Sequence, residues 1–456
     1  MALPRFDTLP KIFLWLITAA AVAAQTEEAG VDAIFAPYRA AGSPGCAVGV
    51  LQNGRTALAK GYGLADLEQN IPITPQSRFY MASVSKQFTS LALLLAEADG
   101  KLRLDKSIRT YIPELPVYAE TIPLYRALDH TAGFRDFLSL WDMRGYSNES
   151  VLREAPSFAM IARQRALNFE PGSQYSYSNS GYLLAAIALQ RATGKPLAEF
   201  ARDRIFTPLG MRASAFQADH SAPIPRRAHG YRKSEGAWKT TDVNFDVTGS
   251  GGLYSNIEDM LRWARNFEEP VVGKELLTRL QTPGHLADGR PTPGGYALGI
   301  IKRDGTYSHS GGANGYSTFF LRVPERRLTI ICLCNIGAAG VDTLASRVAA
   351  VYGATFRPAV PAPPIKPLPT GWKQGEQDAL AGSYWSEELH AVWQLQTRNG
   401  ALWLETDGAS LPVHPQEGGG YRAGLFQLRA ESSANGPVTA FTATVDRARG
   451  VSFVRR

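Results

Sequence analysis

Cysteine is scarce in this sequence: three residues in 456, at positions 46, 332 and 334. Three cannot build the framework of a disulfide-stapled scaffold. No His or Cys partner stands beside them at metal-ligand spacing, which argues against a zinc site or dithiol redox chemistry. All three lie in apolar, β-branched stretches, and Cys332 and Cys334 would share one face of a strand. They are expected to be unpaired, buried small hydrophobes. Long apolar runs are also missing after residue 24, so no later segment has the length of a membrane helix. No basic block marks a nucleic-acid footprint. No segment repeats at a fixed period.

The chain is 45% hydrophobic and 20% charged, ordinary for a globular protein. Its length exceeds what one core usually serves, so two domains are expected. The formal charge is +7. Residues 376–456 hold 7 Arg/Lys against 9 Asp/Glu, so the basic excess sits earlier in the chain. That excess could suit carboxylate-bearing or anionic-envelope partners, but scattered solvated charge is the simpler explanation.

Residues 1–24 read as a signal peptide. Arg5 and Lys11 precede a 13-residue apolar run, Ile12 to Ala24, and small residues at Ala21 and Ala23, or Val22 and Ala24, suit a peptidase. The run is too short to span a bilayer comfortably. The exported chain would begin near Gln25, in the periplasm or outside the cell. An uncleaved anchor is the alternative.

Pro358 to Pro369 (PAVPAPPIKPLP) should form a stiff, extended linker, here bounded as 357–375. Before it, in 25–356, helical and strand patterns alternate. Cys46–Leu51 and Thr56–Ala59 flank Asn53-Gly54, a strong hairpin signal. Ser317–Val323 and Leu328–Asn335 flank a second turn. Gln87–Ala98, Tyr182–Thr193 and Ala339–Tyr352 carry helical spacing, and Gly100 and Gly194 stand as stops. Strand pairs at both ends with helices between predict an antiparallel sheet closed by the two ends of the region. In 376–456, Ala391–Thr397, Leu402–Thr406, Gly424–Leu428, Val438–Val445 and Gly450–Val454 alternate like short strands of a small barrel or sandwich.

Ser83-Val84-Ser85-Lys86 opens a Leu/Ala-rich helix. Positions three apart share a helix face, so the Ser83 hydroxyl and the Lys86 ammonium can meet. A serine hydroxyl needs a neighbour to take its proton, and lysine can do so only if burial or positive charge depresses its pKa. Alone, the spacing is weakly specific. Tyr-Ser-Asn occurs at 146–148, 177–179 and 254–256. The second follows the turn Glu170-Pro171-Gly172 and precedes an apolar helix, a context that can hold Tyr177 and Asn179 towards a cleft. A phenol beside an ammonium would ionise more easily and act as base. The third reads as the cap of helix Ile257–Phe267. His309-Ser310-Gly311-Gly312 precedes the late strand pair; its glycines admit a substrate backbone, and a backbone N–H there can serve an oxyanion. Each piece alone also has a plain structural reading as a turn or a cap.

Taken in order, these motifs resemble the serine hydrolases of the class C β-lactamase and penicillin-binding protein superfamily. Gly61-Tyr-Gly-Leu-Ala-Asp66, Phe79 to Thr89, His130-Thr-Ala-Gly133, Pro208-Leu-Gly-Met211 and Gly249-Ser-Gly-Gly-Leu-Tyr254 strengthen the resemblance, which covers about residues 28–356. It implies Ser83 as acylated nucleophile, Lys86 and Tyr177 as base network, and Asn179 as substrate-orienting amide. It also implies an oxyanion hole from the backbone N–H groups of Ser83 and Gly312. Where classical β-lactamases of this kind carry Lys-Thr-Gly, this chain has His309-Ser310-Gly311. That form resembles the D-aminopeptidase, D-stereospecific peptidase and esterase branch, whose peptidases carry C-terminal barrels.

The expected fold is α/β (α+β): an antiparallel sheet flanked by helices, an all-helical subdomain, and a C-terminal β-barrel in 376–456. The expected chemistry is serine hydrolysis of amides or esters, with weak β-lactamase activity in scope and neither metal nor organic cofactor. The substrate would be a small molecule or peptide, cell-wall material included. No nucleic-acid partner and no membrane span after leader removal are expected, and the oligomeric state is open. The rival is a catalytically silent envelope-binding or scaffold protein of the same fold.

Overall fold

The two apolar runs around Asn53-Gly54 pair as a hairpin, β1 (Cys46–Gln52) with β2 (Arg55–Tyr62). Asn53 and Gly54 take φ of 52° and 77°, as a tight two-residue turn matched to strand twist requires. Four late strands join them: β3 (Ile301–Arg303), β4 (Thr306–Ala313), β5 (Tyr316–Val323) and β6 (Leu328–Cys334). The sheet is antiparallel throughout and runs β3-β4-β5-β6-β1-β2, so the start and the end of the region meet at β1 and β6. The computed structural model describes residues 25–146, 150–358, 371–373, 375–417, 419–432 and 438–456. The leader reading of 1–24, the linker residues 359–370 and 374, and Ser147-Asn148 lie outside them.

The helices that matter for the site are α1 (Lys86–Ala98), α2 (Phe137–Met143), α3 (Asn179–Thr193), α4 (Ile257–Asn266) and α5 (Val341–Val351). Strand alternation sorts the sheet into two packed faces. Ala47 and Leu51 face the inserted helices, in one apolar cluster with Phe320, Ile331, Ile257 and Leu261. A Cβ on Gly49 would sit 2.8 Å from Ile257 Cγ2, so only glycine lets α4 lie this close to β1. Val48, Val50 and Ile330 face the opposite way, beneath Val341 and Val348 of α5 and Val31 and Phe35 of the helical segment 25–35.

The reading of three unpaired cysteines is corrected here. Cys46 and Cys334 stand opposite each other on β1 and β6, with Cα atoms 4.0 Å apart, and form a disulfide. Only Cys332 is free; it is buried, and burial pushes its thiol up to about 12. Strand parity puts Cys332 and Cys334 on one face, but parity along one strand says nothing about which residue lies across from it. The bridge closes 288 residues. Cys46→Ser is expected to lower unfolding free energy by about 2–5 kcal/mol in denaturant titration. A loss below about 1 kcal/mol would show that the sheet holds its ends together unaided.

Beyond the linker, eight strands close a barrel: β7 (Gly382–Ser386), β8 (Ala391–Arg398), β9 (Ala401–Glu405), β10 (Ser410–Pro415), β11 (Tyr421–Ala423), β12 (Phe426–Ser432), β13 (Val438–Val445) and β14 (Ala448–Arg455). The barrel packs on the helical region around α2. Trp393 Nε1 donates to the Met143 carbonyl at 2.8 Å. Arg135 forms a buried ion pair with Glu388 and donates to the Gly450 carbonyl at 3.0 Å.

Candidate active site

Phe79 and Tyr80 lead into a single 3₁₀ turn, Ala82–Ser85, and α1 begins at Lys86. Ala82 takes φ of 46°, a left-handed conformation disfavoured for alanine, directly before the serine. The turn is wedged against β4 and β5. Thr318 Oγ1 donates to the Met81 carbonyl at 2.9 Å. A Cβ on Gly311 would stand 2.4 Å from that carbonyl and 2.3 Å from Thr318 Oγ1, so glycine is required for β4 to reach the turn. A Cβ on Gly312 would meet open space. β3 pairs with β4 only at 306–308, leaving His309–Ala313 flanked by β5 alone. That open edge suits an extended ligand.

Lys86 is fully buried, and its Nζ meets three oxygens: Ser83 Oγ at 3.2 Å, Asn179 Oδ1 at 2.9 Å and the Ser250 carbonyl at 2.7 Å. Burial holds its pKa well below the ordinary value; Arg447 adds to that effect and Asp136 opposes it. A neutral amine has two protons and one lone pair. Asn179 Oδ1 and the Ser250 carbonyl can only accept, so they take both protons. The lone pair is then left for the Ser83 hydroxyl. The neighbours thus orient the amine as a base towards the serine.

Tyr177 lies in the loop before α3, with its ring 4.8 Å beneath Lys86 Nζ. Its hydroxyl is buried and has no hydrogen-bond partner of normal geometry. His130 holds the loop: its Nδ1 accepts from Ser178 N at 3.1 Å and its ring lies 4.2 Å from the Tyr177 ring. The expectation that Tyr177 would ionise easily is corrected. Burial pushes its pKa up, opposed by the Ser83 hydroxyl, and the same burial favours loss of the lysine charge that was to help it. Tyr177 therefore stands as a neutral phenol that can pass a proton on.

His309 is buried, and desolvation, reinforced by Lys86, lowers its pKa to about 4, so it is neutral near pH 7. Its Nδ1 lies 2.6 Å from the Ser310 carbonyl, which can only accept, so the ring proton sits there. Nε2 then accepts from the Tyr296 hydroxyl at 3.1 Å. Both ring nitrogens are partnered inside the protein. The single donor that the sequence reading left to His309 for a ligand carboxylate is already taken.

The structure thus gathers Ser83, Lys86, Tyr177 and Asn179 and sets the His309–Gly312 edge beside the serine turn. The other Tyr-Ser-Asn tyrosines sit elsewhere: Tyr254 packs edge-on to Tyr80, and Tyr146 packs on Trp141. Asn256 caps α4 as expected, accepting from Asp259 N at 2.9 Å. Sequence reasoning missed Asp136, the Ser250 carbonyl and Arg447. An Asp before an apolar run was a readable cap signal for Asp136; Arg447 carried none. A cavity of about 920 Å³ is lined by Tyr125, Arg126, Asp129, Arg279 and Leu298 but by none of the four gathered residues. The grouping with metal-ligand spacing among the described residues, Asp219, His220 and Asp246, likewise includes none of the four.

The Beta-lactamase family profile matches residues 31–354. A D-aminopeptidase of Gluconobacter oxydans is 33% identical over 337 residues, which span 73% of this chain and 62% of that relative's length. The octameric penicillin-binding protein homologue from Pyrococcus abyssi shares the fold over 94% of this chain and 99% of its own, with a TM-score of 0.63 at 20% identity. The D-amino acid amidase from Ochrobactrum anthropi SV3 does so over 72% of this chain and 99% of its own, at TM-score 0.61 and 23% identity. With the family match running from the helix before β1 to the end of α5, this chain belongs to the Beta-lactamase family.

Proposed function

We propose that this chain is an exported serine hydrolase that forms an acyl-enzyme on Ser83 and cleaves amides or esters, D-amino-acid amides and peptides foremost. The observation that carries this reading is the buried Lys86 amine, with two acceptors on its protons and Ser83 Oγ 3.2 Å away. The Ser83 oxygen attacks the carbonyl carbon as its proton passes to Lys86 Nζ. The backbone N–H groups of Ser83 and Gly312 stabilise the oxyanion. Collapse of the tetrahedral intermediate breaks the bond to the leaving amine or alcohol, which takes the proton by way of Tyr177. Water then attacks the acyl-enzyme along the reverse route and frees Ser83. The family resemblance and the D-aminopeptidase similarity support the D-amino-acid preference. The leader-like segment and the Cys46–Cys334 bridge, which persists best in an oxidising compartment, support export.

A panel of D-amino-acid amides, p-nitrophenyl esters and a chromogenic cephalosporin tests the substrate class. Amides or esters are expected to exceed the cephalosporin in kcat/KM. His309 offers no donor to a β-lactam carboxylate, whereas a lysine there would add a charge-assisted bond worth about 1.5–3 kcal/mol. His309→Lys is therefore expected to raise the cephalosporin-to-ester ratio by roughly 10- to 150-fold. An unchanged ratio in a folded variant would remove the physical basis for the substrate order. Inertness towards the whole panel and towards acylating probes would point to the silent scaffold instead.

A further inference from the structure

The barrel's last turn, Asp446-Arg447, reaches the hydrolase site. The Arg447 guanidinium lies 5.6 Å over the Tyr177 ring, on which Lys86 also rests. Its Nη1 is 3.7 Å from Asp136 Oδ2, and its Nε donates to Asp446 at 2.7 Å. The Arg447 carbonyl accepts from Asp136 N at 2.9 Å and from Asn168 Nδ2 at 2.8 Å. Asp136, fully buried, caps α2 through Leu138 N and Ser139 N and accepts from Asn179 N at 2.5 Å, at the start of α3. Asn179 in turn grips Lys86. One chain of contacts therefore runs from the barrel to the base.

We propose that Arg447 is a positioning residue of the hydrolase site: through Asp136 and Asn179 it seats Lys86 against Ser83, so the barrel completes a site the first domain does not finish alone. This rests on the reading of Lys86 as the base. The electrostatics point the same way. The charged and titratable groups facing Lys86 are Asp136 at the cap of α2, Arg447 on the barrel, His309 on β4, His130 beside the Tyr177 loop, and the phenols Tyr177 and Tyr182. Both histidines are held neutral by burial and the phenols are protonated. That leaves Asp136 and Arg447 as the opposed charges. Asp136 favours the ammonium and Arg447 disfavours it. Removing the guanidinium leaves the carboxylate unopposed, so Lys86 holds its proton to higher pH.

The test measures the rate of Ser83 labelling by a fluorophosphonate against pH in the full-length chain. This readout depends on nucleophile activation and needs no natural substrate. In Arg447→Met the ascending limb is expected to move up by about one pH unit, with labelling on that limb about tenfold slower and recovered at higher pH. Arg447→Lys is expected to return most of the limb. An unmoved limb in Arg447→Met, or equal movement in Arg447→Met and Arg447→Lys, overturns the proposal. Lys86→Ala in parallel separates the two readings. If it labels at the wild-type rate, both fall; if it does not label while the Arg447→Met limb stays put, the role of Arg447 alone falls.

Discussion

Lys86→Ala and Tyr177→Phe are each expected to lower turnover by about 100- to 10,000-fold, the usual range for losing an acid–base group. Ser83→Ala should abolish covalent labelling. The lysine effect follows from its three contacts. Alanine leaves the Ser83 hydroxyl without a proton acceptor, and it leaves Asn179 Oδ1 and the Ser250 carbonyl without their shared donor. Tyr177→Phe removes one atom, a buried hydroxyl with no internal hydrogen bond of normal geometry, so folding should be unaffected. Turnover by the best panel substrate, with circular dichroism as the check on fold, measures both. Tyr254→Phe and Tyr146→Phe are the controls, since those rings pack away from Lys86. A dead Tyr254→Phe beside an active Tyr177→Phe would reverse the choice among the three motifs.

A comparable effect on stability is expected at the joint between barrel and helices. Arg135 and Glu388 are both buried. Glu388 also accepts from Arg165 N at 2.9 Å and from Ser452 N at 3.3 Å, and Gln164 Oε1 accepts from Arg135 at 2.8 Å. Glu388→Ala strands a buried guanidinium, and Arg135→Met strands a buried carboxylate. Either is expected to cost about 3–5 kcal/mol in chemical unfolding. The double variant Arg135→Met, Glu388→Leu should be far less destabilised than the sum of the singles, because no unpaired charge remains. Additive losses would mean the two residues act separately rather than as a pair.

The sheet and the candidate nucleophile were legible because local signals and global fold agree there. Asn53-Gly54 announced its hairpin, and the order of Tyr177-Ser178-Asn179 and His309–Gly312 behind it gave meaning to the weakly specific spacing of Ser83 and Lys86. Even so, the two are joined by a 3₁₀ turn followed by the first residue of α1, not by one continuous α-helix. Three barrel strands went unread for ordinary reasons: Ser410–Pro415 contains two prolines, Tyr421–Ala423 is three residues long, and Gly382–Ser386 opens on glycine. The joint could not be read at all. Arg135 and Glu388 are 253 residues apart in sequence, and a lone Arg in a polar turn, as at 447, looks like any solvated charge. The disulfide was hidden by an odd cysteine count and by a strand pairing that only the closed sheet reveals.

The meeting of β1 and β6 also sets a clock. β1 emerges early and can pair with β2 at once, but its other edge and the Cys46 thiol must wait for a partner 288 residues downstream. At synthesis rates of about 5–20 residues per second, that wait lasts roughly 15–60 s. Throughout it, an apolar strand with one unsatisfied edge is open to the wrong neighbour. When β6 arrives it brings two thiols, Cys332 and Cys334, and only the second lies opposite Cys46. Crossed oxidation at Cys332 would trap the strands two residues out of register on the correct face. Such a species would be nearly invisible to hydrophobic quality control, and only thiol exchange could release it.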